Sequence, residues 1–247
     1  MLLRPAASAA PGLEVYLLRR KASMAFAPGA FVFPGGSVDT RDADQQVAWA
    51  GPAPSEWAKV LDAPPDLARA LVCAAVRETF EETGVLLAGP DADSTVADTT
   101  AESWETDRQA LLDRSLSLAG LLRERGLVLR SDLLRPWSRW ITPEAEERRY
   151  DTRFFAAALP EQQRTRDVGG EADDVAWVRP ADAITMGRNK QIMLMPPTAV
   201  TLAELVGCGD MTAVATAPRQ VRPLQPEISV TDGVAWIALP AGVEYPL

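Results

Sequence analysis

Glu78, Glu81 and Glu82 are the residues of this chain whose type and spacing could do chemistry. In the stretch Arg77-Glu78-Thr79-Phe80-Glu81-Glu82-Thr83-Gly84-Val85 they stand at i, i+3 and i+4. On a helix they share one face, within about 5–6 Å of each other. Three anions that close repel, and a divalent cation among them removes the repulsion. Hard oxygen donors at this spacing suit Mg2+ or Mn2+. Arg77, four residues before Glu81, is placed to brace that side chain and leave the other two. Gly84 is placed to close the helix, because a residue without Cβ can turn the chain there. A glutamate-rich stretch with one arginine is otherwise a solvated helix face, so the surrounding residues have to decide between the two.

What the chain lacks narrows the chemistry. Its 247 residues include no histidine, which excludes Ser-His-Asp and Cys-His catalysis, imidazole bases and His-zinc sites. Acid–base work falls to carboxylates, Lys or Tyr. Two cysteines, Cys73 and Cys208, are too few for a disulfide framework and fit a reducing cytosol. Cys73 lies in the apolar part of the key helix and reads as core packing. A net charge of −9, without a basic run carrying interleaved aromatics, disfavours nucleic acid as a partner. No apolar run approaches the ~20 residues of a membrane span. Neither a signal peptide at Met1-Leu2-Leu3-Arg4 nor a recognisable peroxisomal address at Glu244-Tyr245-Pro246-Leu247 is evident. The expectation is a cytoplasmic protein acting on a small phosphorylated molecule, with oligomeric state open.

The elements that must position the glutamates can be read in order. Residues 1–5 and 13–20 read as strands around an Ala/Pro/Gly turn. The second ends in Arg19-Arg20-Lys21, which either faces solvent or meets a substrate phosphate. Residues 26–36 form loop, short strand and the turn Phe33-Pro34-Gly35-Gly36, where the glycines permit close backbone approach. A helix is predicted over 67–83, with Asp66 as N-cap and Leu67, Leu71, Val72, Val76 and Phe80 as its apolar side. Residues 101–125 read as one or two further helices ending at Gly126. Strands follow at 136–143, 150–156 and 175–178, with a polar connection at 144–149. Helices start at Pro180 and at Pro196-Pro197, and a hairpin turns at Asp232-Gly233.

Phe33-Pro34-Gly35-Gly36, then a spacer, then Arg77-Glu78-x-Phe80-Glu81-Glu82-x-Gly84-Val85 resembles the Nudix hydrolase signature. The resemblance implies an α/β (α+β) fold: a Nudix α/β/α sandwich with a mixed central sheet plus helical insertions, in a single elaborated domain over residues 1–247. Gly36 and Arg77 stand 41 positions apart, far more than the ordinary signature allows. Residues of about 39–65 therefore count as an insertion within the Nudix box, either a lid or side wall of the pocket or a surface excursion. Residues of about 91–126 are a second, helical insertion. The signature is departed from twice. Thr79 replaces an aliphatic residue, and the Glu that ordinarily follows the glycine pair is replaced by Asp42 or lost in the insertion.

The interrupted motif, with Trp137-Ser138-x-Trp140-Ile141-Thr142-Pro143, Arg148-Arg149-Tyr150-Asp151-Thr152-x-Phe154-Phe155 and Met195-Pro196-Pro197, resembles the Nudix branch that contains the mammalian peroxisomal CoA diphosphatase. This implies a metal-dependent hydrolase that cleaves CoA or acyl-CoA at its diphosphate, giving 3′,5′-ADP and (acyl-)4′-phosphopantetheine. Another nucleoside diphosphate derivative (ADP-ribose, a nucleotide sugar) or a nucleoside triphosphate stays open, as does a non-catalytic Nudix ligand-binding module. By the same resemblance Glu78, Glu81 and Glu82 hold Mg2+ or Mn2+ with a backbone carbonyl of Gly35 or Gly36, while Arg77 and Gly84 support the site. Glu171, in Gly169-Gly170-Glu171, is either the loop carboxylate that completes it or part of a simple turn. The base is Glu78, Glu82 or Glu171. Arg20, Arg148 and Arg149 are candidate phosphate contacts, since a guanidinium matches phosphate geometry; solvent exposure accounts for the Arg148-Arg149 pair equally well. The separate CoA-associated signature is incomplete: Arg20 and Gly29 fall in place, but Ala25 stands where an Arg is expected.

Overall fold

A computed structural model of the chain describes residues 1–7, 12–24, 27–166, 172–231 and 234–247. Strands β1 (Leu2–Pro5), β2 (Leu13–Arg20) and β3 (Ala30–Val32) come first. The stretch read from the sequence as the first insertion then contributes a 3-10 turn (Thr40–Ala43), β4 (Trp49–Ala50) and helix α1 (Pro54–Leu61), and leads into α2 (Pro65–Thr83). After β5 (Ala88–Gly89) come α3 (Glu102–Leu112), α4 (Leu118–Arg125) and β6 (Val128–Arg130). The chain continues through β7 (Arg135–Ile141), β8 (Asp151–Ala158), β9 (Ala172–Val178), α5 (Pro180–Arg188) and β10 (Met193–Leu194). It ends with α6 (Pro196–Cys208), α7 (Met211–Thr216), β11 (Pro223–Leu224), β12 (Glu227–Thr231) and β13 (Val234–Ala238).

Eight strands form a mixed sheet that branches at β2. β9 runs antiparallel to β2 with Tyr16 opposite Trp177. β1 and β3 pair with opposite ends of β2, Leu3 facing Val15 and Val32 facing Leu18. β8, β7 and β11 extend the sheet beyond β1, and β10 extends it beyond β3. Alternation along β2 loads both faces, because successive side chains of a strand point opposite ways. Tyr16 and Leu18 pack with α1–α4, whereas Leu13, Val15 and Leu17 pack with α5, α6 and α7. The result is the helix–sheet–helix sandwich expected from the sequence. β4, β6 and β5 make a separate three-stranded sheet, and β12–β13 a separate hairpin. The Asp232-Gly233 turn of that hairpin is only bracketed, since both residues lie outside the described ones. Among the described residues no helix is long and apolar enough to cross a membrane.

Three expectations are corrected or resolved. α2 begins at Pro65 with Pro64 at the N-cap position, so Asp66 is not the cap but lies in the first turn. Proline is suited to that first position because its missing N–H would be unpaired there anyway, and the Asp66 charge favours the positive end of the helix. The stretch over 101–125 is two helices, because Arg114 takes a left-handed backbone (φ 66°) that no helix continues through. The first insertion is divided in its role. Trp57 and Leu61 of α1 join the core with Val72, Val76 and Phe80 of α2, while Asp39, Thr40 and Arg41 line the cavity described next.

Candidate functional site

Val76 and Phe80 are fully buried in the core above the sheet. Burying a side chain of this size stabilises by about 1.5–3 kcal/mol, and that anchoring fixes the rotation of α2 about its axis. Glu78 and Glu82 are consequently turned to a cavity of about 1320 Å3, which Glu81, Arg77 and the glycine turn also line. The turn and the helix are in close approach. A Cβ added to Gly36 would sit 2.5 Å from Glu78 Oε1, so any larger residue there would displace the Glu78 carboxylate. The Gly35 N–H donates to Glu82 Oε2 at 2.7 Å. The two halves of the interrupted motif, 41 positions apart in sequence, meet at one place.

Arg77 is the hub. Its Nε and Nη2 donate to the two carboxylate oxygens of Asp42 at 2.9 Å each, and Nη2 also donates to the Ser37 carbonyl at 2.9 Å. Nη1 donates to Glu78 Oε1 at 2.8 Å and to Glu81 Oε2 at 3.0 Å. The expectation that Arg77 braces Glu81 alone is therefore corrected: it holds two of the three glutamates, because Glu78 follows it directly and turns back to the same nitrogen. Asp42, 2% exposed, occupies the role left open for it. The pairing of Asp42 with the guanidinium is the strong, bidentate kind.

The charges are tuned by burial. Desolvation pushes Glu78 up to about 7, against the pull of Arg77 and with repulsion from Glu81 adding to it. Burial raises Glu81 likewise, with Arg77 again opposing. Burial works against the Arg77 charge, but its hydrogen bonds to Asp42 and the charges of Glu78, Asp42 and Glu81 outweigh it and hold its pKa above the ordinary value.

The end of α2 is held from outside the signature. Gly84 takes the left-handed conformation (φ 75°) and returns its N–H to the Phe80 carbonyl at 2.9 Å. Arg108 of α3, 1% exposed, donates Nη1 to the Glu81 carbonyl at 2.8 Å. The same guanidinium is clamped by Glu105 at 2.9 and 2.6 Å. Thr99 donates to the Gly84 carbonyl at 2.6 Å, and the Arg166 N–H to Thr83 at 2.9 Å. These bonds satisfy carbonyls that a helix terminus leaves unpaired, and so fix the turn bearing the glutamates. Sequence reading missed Arg108. Its signal was an arginine on the apolar stripe formed by Trp104 and Leu111, at i+4 and i+7 from the first.

Arg20 lines the cavity as well. Arg148 and Arg149 are both exposed in the connection between β7 and β8 and do not line it; Arg149 Nε donates to the Thr142 carbonyl at 3.2 Å. Glu171 lies outside the described residues. The carboxylates and backbone carbonyls at the glycine turn are hard oxygen donors of the type Mg2+ and Mn2+ take. Among the described residues no three such side chains are gathered around one point: Glu78 and Glu81 are turned to Arg77, and Glu82 to Gly35.

With this geometry in hand, the profile of the NUDT19 Nudix domain matches residues 52–205. The chain belongs to the Nudix family. Among its relatives are the acyl-coenzyme A diphosphatase NUDT19 of Gallus gallus, 30% identical, and that of Xenopus laevis, 26% identical; each match covers 78% of this chain and 61% and 59% of the relative. The human acyl-coenzyme A diphosphatase NUDT19 is 28% identical, over 76% of this chain and 59% of its own length. The chain thus spans about three fifths of the length of the curated relatives it matches. A Nudix hydrolase crystal structure from Alicyclobacillus acidocaldarius superposes with a TM-score of 0.75 at 27% identity, covering 90% of this chain and 96% of that one. The Nudix sandwich is therefore shared.

Proposed function

We propose that this Nudix domain hydrolyses the diphosphate linkage of CoA or acyl-CoA, releasing 3′,5′-ADP and (acyl-)4′-phosphopantetheine, and that residues 1–247 act as one elaborated domain. The observation that carries the reading is the meeting of Glu78 and Glu82 with Gly35-Gly36 on one cavity. Its volume of about 1320 Å3 exceeds the roughly 300–1,000 Å3 of most small-molecule pockets, which accords with a substrate as long as CoA. The names of the relatives add the substrate class.

Nudix hydrolases generally use divalent metals. Glu78, Glu81 and Glu82, with a carbonyl of Gly35 or Gly36, would hold Mg2+ or Mn2+, which supplies charge neutralisation at the diphosphate and a more acidic water. In the reaction, a water oxygen bonds to one phosphorus and the bond from that phosphorus to the bridging oxygen breaks. The electron pair leaves with the second phosphate. The water proton goes to a carboxylate, Glu78, Glu82 or Glu171, because the chain has no imidazole. Arg77 acts as a positioning residue: it holds the Glu78 and Glu81 carboxylates by hydrogen bonds, and its charge opposes without overcoming the burial that raises their pKa values. Arg20, at the cavity wall, is the phosphate contact we favour among the three arginines.

Mass spectrometry of the products of CoA in 18O-water with Mg2+ tests the reading. The expected result is 3′,5′-ADP and 4′-phosphopantetheine, with label in one of the two phosphates. Intact CoA alongside turnover of ADP-ribose, a nucleotide sugar or a nucleoside triphosphate would reassign the substrate. No turnover of any of them would leave a ligand-binding module.

A further inference from the structure

The diphosphate site occupies only part of its cavity. β10 runs parallel to β3 with Leu194 opposite Phe31, which carries Met195 and Pro196 alongside Phe33, next to the glycine pair. β11 runs parallel to β7 with Leu224 opposite Trp140, and Pro226 then leads into β12. The β12–β13 hairpin is thus rooted at the outgoing end of β7, where Ile141 lines the cavity, yet it belongs to no larger sheet among the described residues. Ile228 and Ile237 are direct cross-strand partners and both line the cavity. From the entry of α6 and from the hairpin segment the cavity receives Met195, Pro196, Pro197, Pro226, Ile228 and Ile237, with Thr198 the one polar contribution. Ile237 is 54% exposed, and Val230, on the same hairpin face by strand alternation, is 69% exposed. An apolar sheet face in water gains by being covered, and this one fronts the catalytic cavity.

We infer that the β12–β13 hairpin is the acyl-binding wall of the site: Ile228 and Ile237 cover the hydrocarbon chain of the substrate, so the domain selects diphosphates bearing a long apolar group over free CoA. The inference rests on the diphosphatase reading and deepens it. What commits the face to a substrate chain is continuity, since the same cavity holds both Glu82 and Ile237. A phosphate has nothing to pair with on isoleucine and proline, whereas methylene groups do.

The test measures kcat/KM for free CoA and for acetyl-, octanoyl- and lauroyl-CoA. Wild type, Ile228→Asp and Ile237→Asp are compared with Trp236→Ser, whose side chain projects from the opposite hairpin face. In the wild type the ratio of lauroyl-CoA to free CoA should exceed about tenfold, in line with the gain from a few buried methylenes. Either aspartate should bring that ratio close to unity, while Trp236→Ser keeps it. Melting temperatures check folding, and Ile237→Ala, expected to lower the ratio about threefold, serves should the aspartate variants melt early. A flat chain-length series in the wild type, or an unchanged ratio in the hairpin variants, overturns the inference while leaving CoA hydrolysis standing. A wild type that cleaves none of the four removes the diphosphatase reading itself.

Discussion

The two stretches read from the sequence as insertions, residues 39–65 and 91–126, differ in composition, the first carrying prolines and the second leucines, and serve the site in opposite ways. Both bury apolar side chains against α2, the first through Trp57 and Leu61, the second through Leu111, Leu118 and Leu121. Each also sends one fully buried charged side chain to the turn that bears the glutamates. The first sends an anion, Asp42, to the Arg77 side chain. The second sends a cation, Arg108, to the Glu81 main chain. Asp42 therefore sets the charge balance around Arg77, and Arg108 sets the position of the last helical turn. The lesson is that such a stretch can be tied to a site by one buried polar contact while its other residues join the core or line the cavity.

The strongest effect should come from the site that both insertions serve. Glu82→Gln is expected to lower kcat about 10³-fold, in the range for losing a proton-transfer group, with the denaturation midpoint unchanged; unaltered turnover would remove the assigned site. Asp42→Ala should be the most destabilising insertion variant, by about 3–5 kcal/mol in chemical denaturation, because it strips a buried guanidinium of its bidentate partner. Arg108→Met keeps the apolar stem and loses the contact to the Glu81 carbonyl, at a cost of about 1–3 kcal/mol. Its kcat should fall about tenfold, since the glutamates move. If Asp42→Ala and Arg108→Met lost stability equally and neither altered kcat, the division between charge and position would be wrong.

The smallest effect concerns pH. The hydrogen bond from Arg108 holds the Glu105 carboxyl at about 2, below its ordinary 4.5. The folded-state pKa is depressed, so the stabilisation is complete above pH 4.5 and is lost as pH falls through about 2. Glu105 is partly exposed, and solvent screening keeps the contribution small. Denaturation midpoints between pH 5 and 2 should fall slightly further for wild type than for Arg108→Met. A steeper fall in the variant would contradict the pairing.

Much of the site could be read before the fold was seen. Glu78, Glu81 and Glu82 were placed on one face by helical periodicity alone, and Gly84 as the helix stop followed from the need for a residue without Cβ. The tie between the glycine pair and α2 followed from the signature despite the insertion. Asp42 could be read only as one of two alternatives, and Arg108 not at all, because neither has a neighbour in sequence that announces its partner. The second carboxylate on Arg77 was also missed, since it depends on which way a side chain turns once its surroundings are packed.

By itself the sequence determined what repeats locally or is spelled in adjacent residues: the helical face of acids, the strand alternation that loads both sides of a sheet, the glycines that allow close approach, and the absence of histidine. Only the tertiary structure decided which distant side chains meet: Asp42 with Arg77, Arg108 with the Glu81 carbonyl, and Ile237 with the cavity of Glu82. The physical reason is range. Backbone geometry ties a residue to neighbours three or four positions away, whereas contacts across 27 or 35 positions exist only after the core has closed and has chosen which polar groups to enclose.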